Sequence, residues 1–204
     1  MNANYKINGT VIETERVILR PFKASDLADF FEYASVDGVG EMAGWCHHES
    51  MDKSKEILDR FISEEKTFAI TLKESGKVIG SIGVEKYGME EKLSEFFELS
   101  GREIGFVLSK DYWGQGIMAE AVNGLIDHLF NKIGLDFLLC GHYDFNAQSK
   151  RVQEKCGFKP YRALMMDTRI GTKEKGTLNL LLNPNKDITL KFSHPETLIY
   201  DKQI

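Results

Sequence analysis

Between Tyr112 and Ala121 the chain reads Tyr-Trp-Gly-Gln-Gly-Ile-Met-Ala-Glu-Ala, with two glycines just ahead of a helical pattern. Glycine has no Cβ, so the backbone there can turn sharply and approach a ligand closely. The first amides of a helix lack intrahelical acceptors and sit at the positive end of its dipole, a geometry suited to phosphate. The segment is neither the GxxxxGK[ST] loop of nucleotide-binding proteins nor the GxGxxG turn of dinucleotide folds. A plain structural turn before a helix would read the same way, so the loop alone leaves both readings open. His47 and His48 are adjacent in a loop that also holds Trp45 and Cys46. Such a pair can relay protons or grip a metal, but without further ligands the simpler reading is a solvated loop. Asn146 stands where a helix should begin, and a helix N-cap would account for it.

The elements that must position these residues follow from periodicity and punctuation. Alternation over Thr14–Arg20, closed by Pro21, predicts a strand, and Ser25 or Asp26 caps a helix reaching Ala34. Ser50 caps a second helix over 51–64, whose Ile57, Leu58, Phe61 and Ile62 form one stripe. Residues 67–73 and 77–85 predict a hairpin about the turn Glu74-Ser75-Gly76, and a charged stretch, 86–101, leads to a strand over 103–108. The clearest helix spans 114–133, ended by Gly134; 135–140 is a buried strand, and 147–156 a helix from Asn146 to Gly157. Strands near 158–168 and 177–182 follow, then a tail with one further strand, 188–192. The mixture of hairpins with one strand–helix unit places the fold in the α+β or mixed α/β class.

Composition narrows the function. The chain has 204 residues, 42% of them hydrophobic, and a formal net charge of −5. That profile is globular, and its length suits one domain over 1–204, with a core of about 13–183 and a C-terminal extension from 184. An acidic balance argues against a general nucleic-acid binder. No apolar run approaches the roughly 20 residues that span a bilayer, and the N-terminal residues lack the apolar stretch of a signal peptide. Cys46, Cys140 and Cys156 offer no close pair, which fits a reducing, cytoplasmic setting and no zinc site. The expectation is an enzyme without a metal, a membrane or a nucleic-acid partner.

The stretch EIGFVLSKDYWGQGIMAEAVNGLIDHLF, followed by NAQSKRVQEKCGF and preceded by ETERVILRPFKASDL, resembles the GNAT acetyltransferase superfamily. More narrowly it is similar to the ribosomal-protein N-terminal acetyltransferase (RimJ/RimL-like) branch. The resemblance covers roughly residues 13–168 and implies a seven-stranded, mixed, splayed sheet flanked by about four helices, with acetyl-coenzyme A in the splay. The pyrophosphate pattern falls on Trp113-Gly114-Gln115-Gly116-Ile117-Met118, with Ala119 beside it and Met118 where a small residue is usual. Phe106, Val107 and Leu108 would offer backbone groups to the pantetheine amides, and an amide near Leu108 would polarise the thioester.

The same resemblance assigns Asn146 to the pantetheine arm and Ser149 to the thioester sulfur. Many relatives place a general-acid tyrosine four residues after that serine; here stands Gln153, which has no proton to give. Either Ser149 or solvent then protonates the thiolate, and a tyrosine restored at 153 should be tolerated, neutral or mildly activating. Acetyl transfer needs a deprotonated amine, and a carboxylate with raised pKa can take the proton directly or through a water relay. Glu103 is the first candidate and Glu85 the second, with Glu85, Trp45 and His47 on the acceptor side and His142 as a minor proton relay. The implied activity is N-acetyl transfer from acetyl-coenzyme A to a primary amine, either a peptide N-terminus or a small amine, by direct attack in a ternary complex. A non-catalytic acyl-coenzyme A sensor is the alternative. Leu198, Ile199 and Tyr200 suggest a docking tail for a homodimer.

Overall fold

The computed structural model describes residues 1–88 and 93–190. In chain order it has β1 (Ile12–Glu13), β2 (Val17–Pro21), α1 (Leu27–Ala34), α2 (Met51–Glu64), β3 (Thr67–Leu72), β4 (Val78–Glu85), β5 (Gly101–Leu108), α3 (Ile117–Asp127), β6 (Phe137–Tyr143), α4 (Ala147–Lys155), β7 (Lys159–Asp167) and β8 (Lys173–Leu182). The strands form one sheet in the order β1-β2-β3-β4-β5-β6-β8-β7. It is mixed, as expected, but eight-stranded rather than seven. The segment read as one strand from Thr14 is split by a turn in which the Thr14 backbone N–H donates to the Val17 carbonyl, and the short β1 adds an edge beside β2. The anticipated strand over 188–192 does not form at Ile188–Leu190; its last two residues lie outside the described ones, as do Leu198, Ile199 and Tyr200.

The decisive feature is the contact of β5 with β6. They run parallel but pair only through Gly101–Glu103 against Phe137–Leu139. Beyond that point β5 stays with β4, its last partners being Gly80 and Leu108, while β6 stays with β8 as far as Tyr143. The sheet therefore opens into a V whose mouth is lined by backbone that no neighbouring strand satisfies. Unpaired backbone groups at such an edge are free to bond a ligand.

Packing holds the V open. One core cluster joins Ile104 and Leu108 of β5 to Ile117, Ala121, Val122 and Leu125 of α3, and Leu138 and Cys140 of β6, on one face of the sheet. On the other face α1 and α2 bury Phe30, Tyr33 and Leu58 against Ala69 and Val78. Ser50 caps α2 by accepting the Lys53 N–H, as its position predicts. Arg20 closes β2 onto the start of α1 with two bonds to Asp26, at 2.7 and 2.8 Å. A third cluster, with Phe96 stacked on Phe137 at 4.2 Å, seals the narrow end of the V.

Candidate active site

A cleft of about 330 Å³ occupies the V between β5, the start of α3 and the start of α4. Its floor is the glycine turn. Gly114 and Gly116 have φ of +77° and +78°, and Gly116 is the N-cap residue of α3. Both lie in the left-handed region that side-chained residues avoid, which is why glycine recurs there. The first helical bond runs from the Glu120 N–H to the Gly116 carbonyl, so the amides before Glu120 have no partner within the helix. Every residue expected to hold the cofactor lines this cleft except Gln115. Gln115 is turned outward, its side chain donating to the Asp111 carbonyl and its own carbonyl accepting from Arg16.

The turn is clamped from outside. Arg16 pairs with Glu120 at 2.6 Å, and Glu120 also accepts the Arg16 N–H and the Thr14 hydroxyl. Burial alone would raise the Glu120 carboxyl, but these donors hold it below its ordinary value. A single carboxylate thus ties the β1–β2 turn to the cradle, which sequence alone did not reveal because the partners are about a hundred residues apart. Trp113 is fixed by its indole N–H, which donates to the Leu108 carbonyl at 2.8 Å. Met118, the departure from the family pattern, is 5% exposed and belongs to the core cluster that joins α3 to the sheet, while also lining the cleft.

The α4 wall carries residues that no motif flagged. Arg151 and Lys155 line the cleft, one helical turn apart. Asn146 is the N-cap of α4, accepting the Ser149 N–H at 2.9 Å while donating to the Met42 carbonyl at 2.8 Å. Its amide therefore anchors the loop after α1 to α4, with one N–H left for a ligand. Ser149 is half-buried at the cleft wall. Gln153 is buried at 1% exposure, bonded to Ser149, to the Gly141 carbonyl and to Asn179. The tolerance expected of a tyrosine at 153 is thereby withdrawn, because its ring would have to displace these partners. Gln153→Tyr is expected to lower the melting temperature by several degrees, the effect of overpacking by about 1–3 kcal/mol, read by thermal denaturation.

The carboxylates lie on the opposite face. Along β5, Ile104, Phe106 and Leu108 pack toward α3, so the alternating Glu103, Gly105 and Val107 face the other way. Glu103 is paired in register with Glu85 across β4–β5, and Gly105 with Gly83. A Cβ built on Gly83 would stand 3.3 Å from the Glu85 carboxylate, whereas one on Gly105 meets nothing within 4 Å. An open space with a bare floor thus stands beside two carboxylates. On the β6 side the Met166 methyl lies over Gly141, 3.8 Å from whose Cβ position is the Glu103 carboxylate. Burial, reinforced by the negative charge of Glu85, pushes the Glu103 carboxyl up to about 7. Glu85 itself is paired with Lys66 at 2.8 Å.

Trp45 and His47 are turned toward their own loop. Trp45 packs over Gly40 and the His48 ring, 5.1 Å away. His47 bonds Glu41 through Nδ1 at 3.0 Å; burial would raise the Glu41 carboxyl, but the N–H groups of His47 and Gly38 hold it down at about 2. The histidine pair does not share one solvated setting, because His48 is buried and bonded to Ser54 at 2.7 Å. His142 is also buried, within reach of Asn179.

Comparison with known proteins matches this architecture. The model of the acetyltransferase (GNAT) domain fits residues 16–159. The chain belongs to the GNAT acetyltransferase family. Within it, the chain is 24% identical over 154 residues to "Uncharacterized N-acetyltransferase YoaA" of Bacillus subtilis, covering 73% of this chain and 82% of that one. The fold of this GNAT protein is that of a Bacillus anthracis GNAT-family acetyltransferase, with TM-score 0.73 and 20% identity over 85% of this chain and 99% of that one. A ribosomal-protein-S5-alanine acetyltransferase from Vibrio fischeri is similar at TM-score 0.66 and 22% identity, covering 86% and 98%. The chain is thus an acetyltransferase whose V-shaped cleft lies between α3 and α4. No helix among the described residues is long and apolar enough to cross a membrane.

Proposed function

We propose that this GNAT enzyme moves the acetyl group of acetyl-coenzyme A to a primary amine that enters from the Glu103 face of the sheet. The observation that carries this reading is the opening between β5 and β6, with a phosphate-ready helix start on one face and a carboxylate raised to about 7 on the other. The residues present fit coenzyme A. Free amides of residues 114–119 suit its pyrophosphate, Arg151 and Lys155 suit its remaining phosphate charge, and the unpaired edge of β5 at Phe106–Leu108 suits its amides. As the second substrate it supplies the thioester; the chain supplies orientation and proton handling.

Glu103 takes the proton of the incoming amine, directly or through one water, with a carboxyl matched to neutral pH. The amine nitrogen bonds to the carbonyl carbon, the carbon–sulfur bond breaks, and the thiolate departs on the Ser149 side. One proton from the amine nitrogen ends on the coenzyme A thiolate, and a cationic amine sheds a second, which Glu103 passes to solvent. The open floor over Gly105 is where the acceptor's carbon chain lies, flanked by Glu85, whose charge favours a cationic amine. Gly105→Val should raise the acceptor KM roughly ten-fold or more while leaving coenzyme A affinity unchanged, because a branched side chain would fill that floor. Steady-state kinetics with both substrates varied would check this.

The acceptor reading extends to peptide N-termini, in keeping with the narrower resemblance to ribosomal-protein acetyltransferases, and the open face over Gly105 suits an extended chain end. A pure acyl-coenzyme A sensor has no use for a desolvated carboxylate on the far face of the sheet. The test is release of free thiol from acetyl-coenzyme A against a panel of peptides and small amines. Amine-dependent release supports the reading, and coenzyme A binding with no release by any amine would favour the sensor.

A further inference from the structure

We infer that a buried amide chain, Gln153–Asn179–His142, fixes the direction of the Ser149 hydroxyl so that its proton points into the cleft, toward the departing sulfur. This rests on the acetyl-transfer reading for its purpose, but not for its geometry. The chain has a sense because one of its ends is a backbone carbonyl. The Gly141 carbonyl can only accept, so the end of Gln153 that lies 3.0 Å from it is the amide nitrogen. The same Nε2 lies 3.0 Å from the Ser149 Oγ. Its two hydrogens are then both committed, one to Gly141 and one to Ser149. The serine oxygen accepts, and its own proton must leave in another direction. Among the described residues Ser149 Oγ has no other hydrogen-bond partner, and its side chain lines the cleft.

The rest of the chain locks this arrangement. With Nε2 settled, the Gln153 Oε1 must accept, and Asn179 Nδ2 donates to it at 2.6 Å. The second hydrogen of that Nδ2 points at His142 Nδ1, 3.0 Å away. His142 is therefore the neutral tautomer with its proton on Nε2, and burial, which pulls its pKa below the ordinary value, keeps it neutral. All three side chains are buried, Gln153 and Asn179 at 1% and 4% exposure and His142 at 8%. A satisfied polar network in a low-dielectric setting is rigid, and reversing one member would set two acceptors against each other. The glutamine that replaces the family's tyrosine acid thus acts as a positioning residue for a serine donor.

The test uses the full-length enzyme with acetyl-coenzyme A and its best amine. Gln153→Glu is nearly isosteric but cannot donate to both Gly141 and Ser149. It should lower kcat by roughly 10- to 100-fold, the effect of losing one aimed donor, with the acetyl-coenzyme A KM nearly unchanged. In the Ser149→Ala background the same change should cost nothing further, since residues that act as a unit are not additive. Asn179→Asp, which turns the Gln153 amide around, should reproduce the loss should Gln153→Glu fold poorly. Nitrogen NMR of the unmodified protein should show His142 protonated on Nε2, a readout that needs no activity. Full kcat in Gln153→Glu, losses that multiply with Ser149→Ala, or a His142 proton on Nδ1 would each overturn the inference. Absence of thiol release with any amine would sink only the acetyl-transfer reading, and the tautomer would still decide the sense of the chain.

Discussion

Glu103→Gln is expected to slow acetyl transfer by roughly 10- to 1000-fold, the range for losing a general base, and to stabilise the folded protein above neutral pH. Both effects have one cause. Burial and the charge of Glu85 raise this carboxyl from an ordinary 4.5 to about 7, so the folded protein holds the proton longer than the unfolded chain does. Wherever the native state binds more protons, stability falls as pH rises. The loss therefore develops between about pH 4.5 and 7 and persists above that, where the folded protein carries an unwelcome buried charge. Its size is on the order of 2 kcal/mol once partial solvent access is allowed for. Glutamine keeps the shape and carries no charge, so the variant should melt higher than the parent at pH 8 and level with it at pH 4. The acid limb of the rate profile, expected in the parent to rise through about pH 7, should disappear in the variant. An unchanged rate and an unchanged limb would pass the base role to Glu85 or to a water relay.

In the proposed role Glu103 destabilises the fold while serving the reaction, a trade expected of a site kept for chemistry. The sequence showed Glu103 as a strand-end carboxylate, but not what raised it. The register that places Glu85 opposite, and the methionine of β7 that lies over Gly141, come from strands far apart in the chain. By contrast α2, the β3–β4 hairpin and the glycine turn before α3 were legible, because caps, turn residues and helical spacing are local signals. Where local signals were mixed, boundaries moved. The helix read as starting at Gly114 begins at Ile117, since the two glycines take left-handed geometry, and its last turn widens to a π-helix over His128–Lys132. Strand β6 continues past Cys140 to Tyr143 because its backbone pairs with β8 as far as Gly176, a neighbour no periodicity reveals. Strand β8 begins at Lys173, through a Lys-Glu-Lys-Gly run that reads as loop but pairs with β7. Legibility therefore ended where a residue's role depends on which strand lies beside it.

The cradle is where sequence and structure meet, and Gly116→Val should reduce coenzyme A affinity roughly 100-fold. Two or three charge-assisted bonds from oriented amides to a pyrophosphate are worth about 1.5–3 kcal/mol each, so misaligning even one or two accounts for that factor. Gly116 sits at φ +78° as the N-cap of α3, a conformation that a β-branched residue resists. Space is not the obstacle, since a Cβ there would meet only Arg16 Nη2, at 3.8 Å. Valine would instead pull the backbone toward ordinary geometry and swing the following amides away from the phosphates. Gly134 provides the control. It has φ +79°, lies beyond the other end of the same helix, and a Cβ there meets nothing within 4 Å. Gly134→Val should carry a similar cost in stability and none in coenzyme A affinity, so strain and cradle are separated by two titrations and two melts. Calorimetry in which Gly116→Val binds coenzyme A as the parent does would remove the phosphate role from the glycine turn and leave Arg151 and Lys155 to account for any affinity.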